Sequence, residues 1–259
     1  MTRKAAKGRE RDQRSTADDL VEIVLPVYNE AHVLETSVTR LLAAGAGWTE
    51  FAWRIEIVDN ASTDGTSDVG RRLSREHERV SFERLERKGR GHALRHAWSK
   101  TDAPYSLYMD IDLSTGLEAV PRAVESLRAG ADLVTGSRMH SESRVQRSFK
   151  RELFARCYNI LVKLVFPSRR FSDAQCGFKG IRLASVRPLL ALVENSNWFF
   201  DTELMLLLEY HGLRLDSLPI EWIEDLDSRV NIPSYVAENL EGLVRVRRTL
   251  GSSLRRLRA

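Results

Sequence analysis

Tyr105-Ser-Leu-Tyr-Met-Asp-Ile-Asp-Leu-Ser-Thr115 is an apolar run that ends in two carboxylates, Asp110 and Asp112. An extended chain alternates its side chains, so both carboxylates leave the same side of the strand end, followed by the hydroxyl of Ser114. Hard oxygen donors of this kind suit Mg²⁺ or Mn²⁺, ions that keep open positions for substrate phosphate oxygens. By itself, Asp-x-Asp after a strand is more often the pattern of a solvated loop.

The flanking sequence repeats the same unit. Val21 to Val27, Trp53 to Asp59, Val80 to Leu85, Tyr105 to Asp110 and Asp132 to Gly136 read as strands; His32 to Ala44, Ser67 to Glu76, Gly91 to Lys100 and Leu117 to Ala129 have helical spacing. This order predicts an α/β chain with a parallel, doubly wound sheet covered by helices on both faces. Ligands of such sheets bind beyond the carboxyl ends of the strands. Tyr28-Asn-Glu30, Asp59-Asn-Ala-Ser62 and the pair Asp110 and Asp112 all fall there, although Asn60-Ala-Ser-Thr-Asp64 also has the composition of a helix cap.

The second half departs from the alternation. Phe149 to Phe166 reads as a helix with a narrow polar stripe of Glu152, Arg156, Asn159 and Lys163, the rest being mostly apolar. That apolar sector is wider than a surface helix needs, which fits either a core helix or one lying in a membrane interface. A helix over Phe200 to His211, a strand over Arg214 to Glu221 and a basic helix from Val236 to Arg258 follow.

The 259 residues are 42% hydrophobic and 29% charged, enough for one catalytic domain. The expected division is a disordered basic arm over 1–19, the domain over 20–235 and a basic helix over 236–259. Cys157 and Cys176 show no pairing or metal-ligand spacing and read as small apolar residues of a reducing compartment. No secretory signal and no run of 18 apolar residues occurs, so the expectation is a chain without a transmembrane helix that stays in the cytoplasm. Arginines crowd both ends, a distribution that suits an anionic surface, lipid or nucleic acid. The arginine clusters lack interleaved aromatics, which speaks against a nucleic-acid partner.

Taken in order, Leu25-Pro-Val-Tyr-Asn-Glu30, Val58-Asp-Asn-Ala-Ser-Thr-Asp-Gly65, Arg87-Lys-Gly-Arg-Gly-His-Ala-Leu-Arg95, Asp110-Ile-Asp-Leu-Ser114, Gly136-Ser-Arg138, Asp173-Ala-Gln-Cys-Gly-Phe-Lys179 and Trp198-Phe-Phe-Asp-Thr-Glu203 resemble family 2 glycosyltransferases of the GT-A fold. Within that family the segments look most like the dolichyl-phosphate glucosyltransferase branch. The resemblance implies a Rossmann-like, mostly parallel sheet and inverting transfer of one hexose from a UDP-sugar, glucose first, to a polyprenyl phosphate. UDP-N-acetylhexosamine or GDP-mannose as donor, and a non-lipid acceptor, are the alternatives; a non-catalytic nucleotide- or nucleic-acid-binding protein is the rival of another class. It also implies roles: Pro26, Tyr28, Glu30, Asp59, Asn60, Lys88, Arg90, Asp110, Ile111, Asp112, Asp201 and Glu203 at the donor; Asp110 and Asp112 at Mg²⁺ or Mn²⁺. Arg138, Arg147 and Arg151 are implied at the acceptor phosphate, with Asp110, Asp112, Asp173 and Arg138 central to catalysis. Many members have Asp where this chain has Asn60, and many carry C-terminal membrane helices, so this chain is expected to act as a peripheral protein on the cytoplasmic face.

Overall fold

The computed structural model describes residues 19–167, 169–224 and 232–257. The basic arm before Asp19 and Arg258 lie outside the described residues. Nine strands and eight helices follow one another here: β1 (Val21–Val27), α1 (Ala31–Gly45), β2 (Trp53–Asn60), α2 (Thr66–Glu76), β3 (Val80–Leu85), α3 (Arg90–Lys100), β4 (Tyr105–Met109), α4 (Ala119–Arg128), β5 (Leu133–Ser137), β6 (Arg144–Gln146), α5 (Phe149–Val165), β7 (Phe178–Arg182), α6 (Leu183–Leu190), α7 (Phe200–Tyr210), β8 (Leu215–Pro219), β9 (Glu221–Ile223) and α8 (Ile232–Leu257).

Seven strands form one sheet in the order β3-β2-β1-β4-β7-β5-β8, and β6 and β9 pair beside it. Only β7 runs antiparallel among the seven, wedged between β4 and β5. The parallel strands are apolar on both faces because helices cover both. On one face Ile23, Leu25 and Val27 pack with Leu34, Val38 and Leu41 of α1 and with Val120 of α4. On the other, Val24 and Val58 meet Leu94 and Trp98 of α3, Leu204 of α7 and Leu243 of α8. Leu243 and Val246 are buried, at about 1.5–3 kcal/mol each; the C-terminal helix is thus part of the packed body.

Expected and observed strands agree through β5. The strand expected over Arg214 to Glu221 is two: β8 completes the large sheet, and β9 leaves it to pair with β6. β7 and α6 have no counterpart in the sequence reading.

Helix α5 buries part of its polar stripe and leaves part of its apolar sector outside. Asn159, from the polar stripe, is buried: its Oδ1 accepts from the Ala174 amide at 3.0 Å and its Nδ2 donates to the Ala155 carbonyl at 3.0 Å. Phe149, Leu153, Phe154, Ile160 and Leu164 face outward, Leu164 with 72% of its surface exposed. Leu161 and Val165 pack against the core instead.

One carboxylate in the sheet is uncomfortable. Burial, foremost, and the charge of neighbouring Glu22 push Glu56 up to about 7 from an ordinary 4.5. The folded state therefore holds this proton more tightly than the unfolded chain, so folding stability falls as pH rises from 4.5 to about 7 and stays reduced above. Glu56→Gln is expected to stabilise the protein by about 1–2 kcal/mol above pH 7, after allowance for solvent screening, and by nothing near pH 4.5. Urea unfolding at the two pH values checks this; an equal effect at both would refute it.

Candidate functional site

The carboxyl ends of β1 and β2 are stitched together before any ligand arrives. Asn29, in the left-handed region at φ 57°, accepts from the Thr63 amide at 2.8 Å and donates its own amide to Ser62 Oγ at 2.9 Å. The Glu30 amide donates to Thr66 Oγ1 at 2.8 Å. Asp59 is fully buried and accepts from the Ser62 amide at 2.9 Å and from Ser67 Oγ, with Arg84 at 3.7 Å. Beside it, Asn60 is buried and its Oδ1 has no donor among the described residues. Lys88 places its ammonium 3.6 Å over the Tyr28 ring, at the same edge. Asp59, Asn60, Tyr28 and Lys88 therefore line one end of the sheet, where Pro26 is the last residue but one of β1.

Asp110 and Asp112 owe their placement to β7. The Asp110 amide donates to the Gly177 carbonyl at 3.0 Å, and a Cβ built on Gly177 would stand 1.8 Å from Asp110 Oδ2; only glycine lets β7 come this close. Leu113 is in the left-handed region at φ 50°, and the Ser114 amide donates to Asp112 Oδ1 at 2.9 Å. A tight turn results, with Ile111 and Leu113 buried beneath it. Asp110, Asp112, Ser114, Thr115, Gly177 and Trp222 line one small pocket, in which the buried Thr115 Oγ1 has no partner among the described residues.

No group of three or more His, Cys, Asp or Glu that could hold a metal is found among the described residues. The pocket instead offers two carboxylates and hydroxyl oxygen, a donor set that fits a hard divalent cation whose other ligands are phosphate oxygens and water. Asp110 and Asp112 are the residues that would hold it.

Arg90 opens α3 and is drawn inward. Its Nη2 donates to Asp110 Oδ1 at 2.7 Å and its Nη1 to Asp201 Oδ2 at 2.8 Å, while Tyr108 and Trp198 flank the guanidinium at 5.0 and 5.3 Å. Burial works against this cation, but the charges of Asp110 and Asp201 raise it well above its ordinary value. Asp201 also accepts from the Tyr108 hydroxyl. Burial, then the Asp201 charge, raises that hydroxyl well above its usual range, so it stays a donor.

Arg138 follows β5 and grips Asp173 with two bonds, Nε at 2.7 Å and Nη2 at 2.9 Å; its amide adds a third at 3.1 Å. Burial alone would raise the Asp173 carboxyl; the Arg138 charge and hydrogen bonds override it and hold the group at about 2. The same guanidinium lies 4.9 Å over Trp222, a wall of the Asp110 and Asp112 pocket. Arg147 pairs with Glu152, and Arg151 with Glu224 at 3.1 Å. All three arginines thus stand in ion pairs.

Glu203 serves a different purpose from its neighbour Asp201. It accepts from the amides of Glu194 and Asn195 at 3.1 and 2.8 Å and from Arg245 of α8 at 2.7 and 2.8 Å. These bonds tie α8 to the loop that carries Trp198. Tyr235, at the start of α8, meets Trp198 edge-on at 6.3 Å. Tyr108, Gly177, Lys179, Trp222 and Tyr235 are residues of this region that the sequence reading did not single out. Tyr108 had a signal: it shares the side of β4 on which Asp110 and Asp112 lie.

Residues 22–188 match the model of the family described as glycosyl transferase family 2. Glycosyltransferase AglD of Haloferax volcanii is 32% identical over 215 residues, which are 82% of this chain and 34% of that protein. The chain therefore spans about a third of that relative's length. The dolichyl-phosphate beta-glucosyltransferase of Saccharomyces cerevisiae is 25% identical over 224 residues, 79% of this chain and 67% of that protein. Among solved structures, glucosyl-3-phosphoglycerate synthase from Mycobacterium tuberculosis, in complex with Mn²⁺, UDP-glucose and phosphoglyceric acid, superposes with a TM-score of 0.65. It covers 90% of this chain and 81% of its own, at 18% identity, a likeness of fold.

Proposed function

The chain belongs to glycosyl transferase family 2, and on that premise we propose that it transfers one hexose from a UDP-sugar, glucose first, to a polyprenyl phosphate, inverting the anomeric carbon to a β-linkage. The observation that carries this reading is Trp222, which lines the Asp110 and Asp112 pocket and also lies under the Arg138 guanidinium that grips Asp173. A seat for a donor diphosphate and an arginine suited to a second phosphate thus share one side chain. The dolichyl-phosphate enzymes among the relatives support the acceptor class.

Donor binding falls to the stitched edge. Asn60 Oδ1, buried without a donor, can take a hydrogen bond from the base or ribose, and Lys88 over Tyr28 brings positive charge to the diphosphate. Pro26 and Glu30 border that edge, and Ile111 backs the turn. Asp110 and Asp112 would hold a divalent cation, which would supply charge neutralisation for the departing nucleoside diphosphate. The acceptor, a phosphate monoester, is already ionised at neutral pH and needs no base. It needs an electropositive cradle, and Arg138, with Arg147 and Arg151, supplies planar donors for phosphate oxygens. Each arginine carries its own carboxylate, so the cradle is positive in direction but near neutral in sum.

Such an acceptor lies in a membrane, and α5 is the proposed contact. Its outward row of Leu153, Phe154, Ile160 and Leu164, with Arg156 and Lys163 beside it, has the make-up of a helix lying in a lipid interface. No described helix is long and apolar enough to cross a membrane. Ile160→Glu with Leu164→Glu is expected to abolish binding to anionic vesicles in a flotation assay while the melting temperature stays within a few degrees. Leu161→Glu, which faces the core, is expected to lower the melting temperature instead. Retained flotation of the double variant would remove α5 from this role.

The donor and acceptor are tested together by offering UDP-glucose, UDP-N-acetylglucosamine, UDP-N-acetylgalactosamine and GDP-mannose against one polyprenyl phosphate. Radiolabel is expected in the lipid phase, highest with UDP-glucose. Transfer that proceeds equally without polyprenyl phosphate would overturn the acceptor.

A further inference from the structure

A row of buried charges runs from the interior of the sheet to the acidic turn. It begins at Lys179, which is fully buried and stands directly across the antiparallel pair from Tyr108. Its ammonium donates to the Cys176 carbonyl at 2.7 Å and to the Tyr108 hydroxyl at 3.2 Å, and lies 3.3 Å from Asp201 Oδ1. Asp201 holds Arg90, and Arg90 holds Asp110. Two cations and two carboxylates alternate along the row and sum to zero. Of the four, only Asp110 lines the pocket.

Burying four charges is costly, and a hydrophobic replacement of equal volume stabilises as well or better. Sugar transfer gives Lys179 nothing to touch. What the row does determine is how much of the Arg90 charge falls on Asp110. A guanidinium shared between two carboxylates neutralises neither completely, and the low interior dielectric makes that division felt at the turn.

We propose that Asp201, backed by Lys179 and Tyr108, is a positioning residue that acts on Asp110 through Arg90 and so sets the affinity of the Asp110 and Asp112 turn for a divalent cation. Asp201 draws part of the Arg90 charge away and leaves Asp110 negative enough to accept the ion. This rests on the reading of that turn as a cation seat.

The test is Mn²⁺ binding to the full chain in saturating UDP, followed by the electron paramagnetic resonance signal of free Mn²⁺. Asp201→Asn throws the whole Arg90 charge onto Asp110 and is expected to weaken binding about tenfold. Arg90→Gln removes the competing cation and is expected to tighten binding about tenfold. Lys179→Met lets Asp201 draw harder on Arg90; it is expected to tighten binding several-fold, and it keeps the test open if Asp201→Asn fails to fold. In the Asp201→Asn background Lys179→Met has no carboxylate left to release, so the double variant should bind as weakly as Asp201→Asn alone. A merely structural row predicts weaker binding in every variant, weakest in the double, and that result, or affinities that do not move, overturns the proposal while the cation seat stands. A wild-type chain that binds no Mn²⁺ overturns both.

Discussion

Asp112→Ala is expected to cut sugar transfer by at least about a thousandfold while leaving the fold in place. The side chain sits on a turn at the end of β4 and is only partly buried, so little packing is lost. The hydrogen bond it accepts from the Ser114 amide at 2.9 Å contributes about 1 kcal/mol. What disappears is one of the two carboxylates that would hold the cation against a leaving group whose charge grows as the glycosidic bond breaks. Transfer of radiolabelled hexose, with a circular dichroism melt on the same sample, checks both halves. Turnover near the wild-type rate would sink the assignment of this turn.

Arg138→Met is expected to lower the free energy of unfolding by about 3–5 kcal/mol, because it strands the Asp173 carboxylate inside the protein. The pair is deeply placed, with 12% of the Arg138 side chain and none of Asp173 exposed. Its pH dependence follows from the depressed carboxyl, held at about 2 against an ordinary 3.8. A depressed acid contributes stability that is complete above its unfolded value and lost as pH falls through its folded one. The stranded carboxylate has lost the group that held it down, so the variant is relieved by acid where the wild type is harmed. The gap between them is expected to be widest at neutral pH and to narrow as pH falls, first as the stranded carboxyl takes up a proton above 3.8 and then as the wild type loses its own contribution between 3.8 and about 2. Urea unfolding at several pH values measures it; a gap under about 1 kcal/mol at neutral pH would mean that the pair behaves like a surface ion pair.

The first half of the fold was legible because each strand from β1 to β4 carries apolar residues at strand spacing and is followed by a polar turn and a helix. β7 was not. Phe178-Lys-Gly-Ile-Arg182 contains two basic residues and a glycine, and its strand character comes from lying between β4 and β5, a tertiary fact with no local signal. Lys179 belongs to the same lesson, since a lysine is read as exposed until a cross-strand tyrosine and an aspartate from α7 are placed around it. Helix α5 shows how composition misleads about direction. A polar stripe ordinarily marks the solvent side, yet Asn159 points inward to hold the Ala174 loop, while Leu153, Phe154, Ile160 and Leu164 point out and only Leu161, Val162 and Val165 of the apolar sector face the core. The strand-end carboxylates were found from alternation and topology alone; that Arg90 joins one of them, Asp110, to Asp201 of α7, rather than lying by itself in a basic loop, required the packed structure.

The reversed strand has a consequence for how the chain is made. As residues emerge in order, β1 to β4 can pair as soon as they appear, but β5 has no neighbour in the large sheet until β7 and β8 follow. Until about seventy residues after Met109 have been synthesised, the outer edge of β4 is an unpaired row of amides and carbonyls beside apolar side chains. Nascent chains stalled or cut between β5 and β7 are thus the sticky ones, prone to join each other edge to edge or to occupy chaperones. Because Gly177 and Lys179 arrive with that same late strand, the acidic turn acquires its floor only when the sheet is closed.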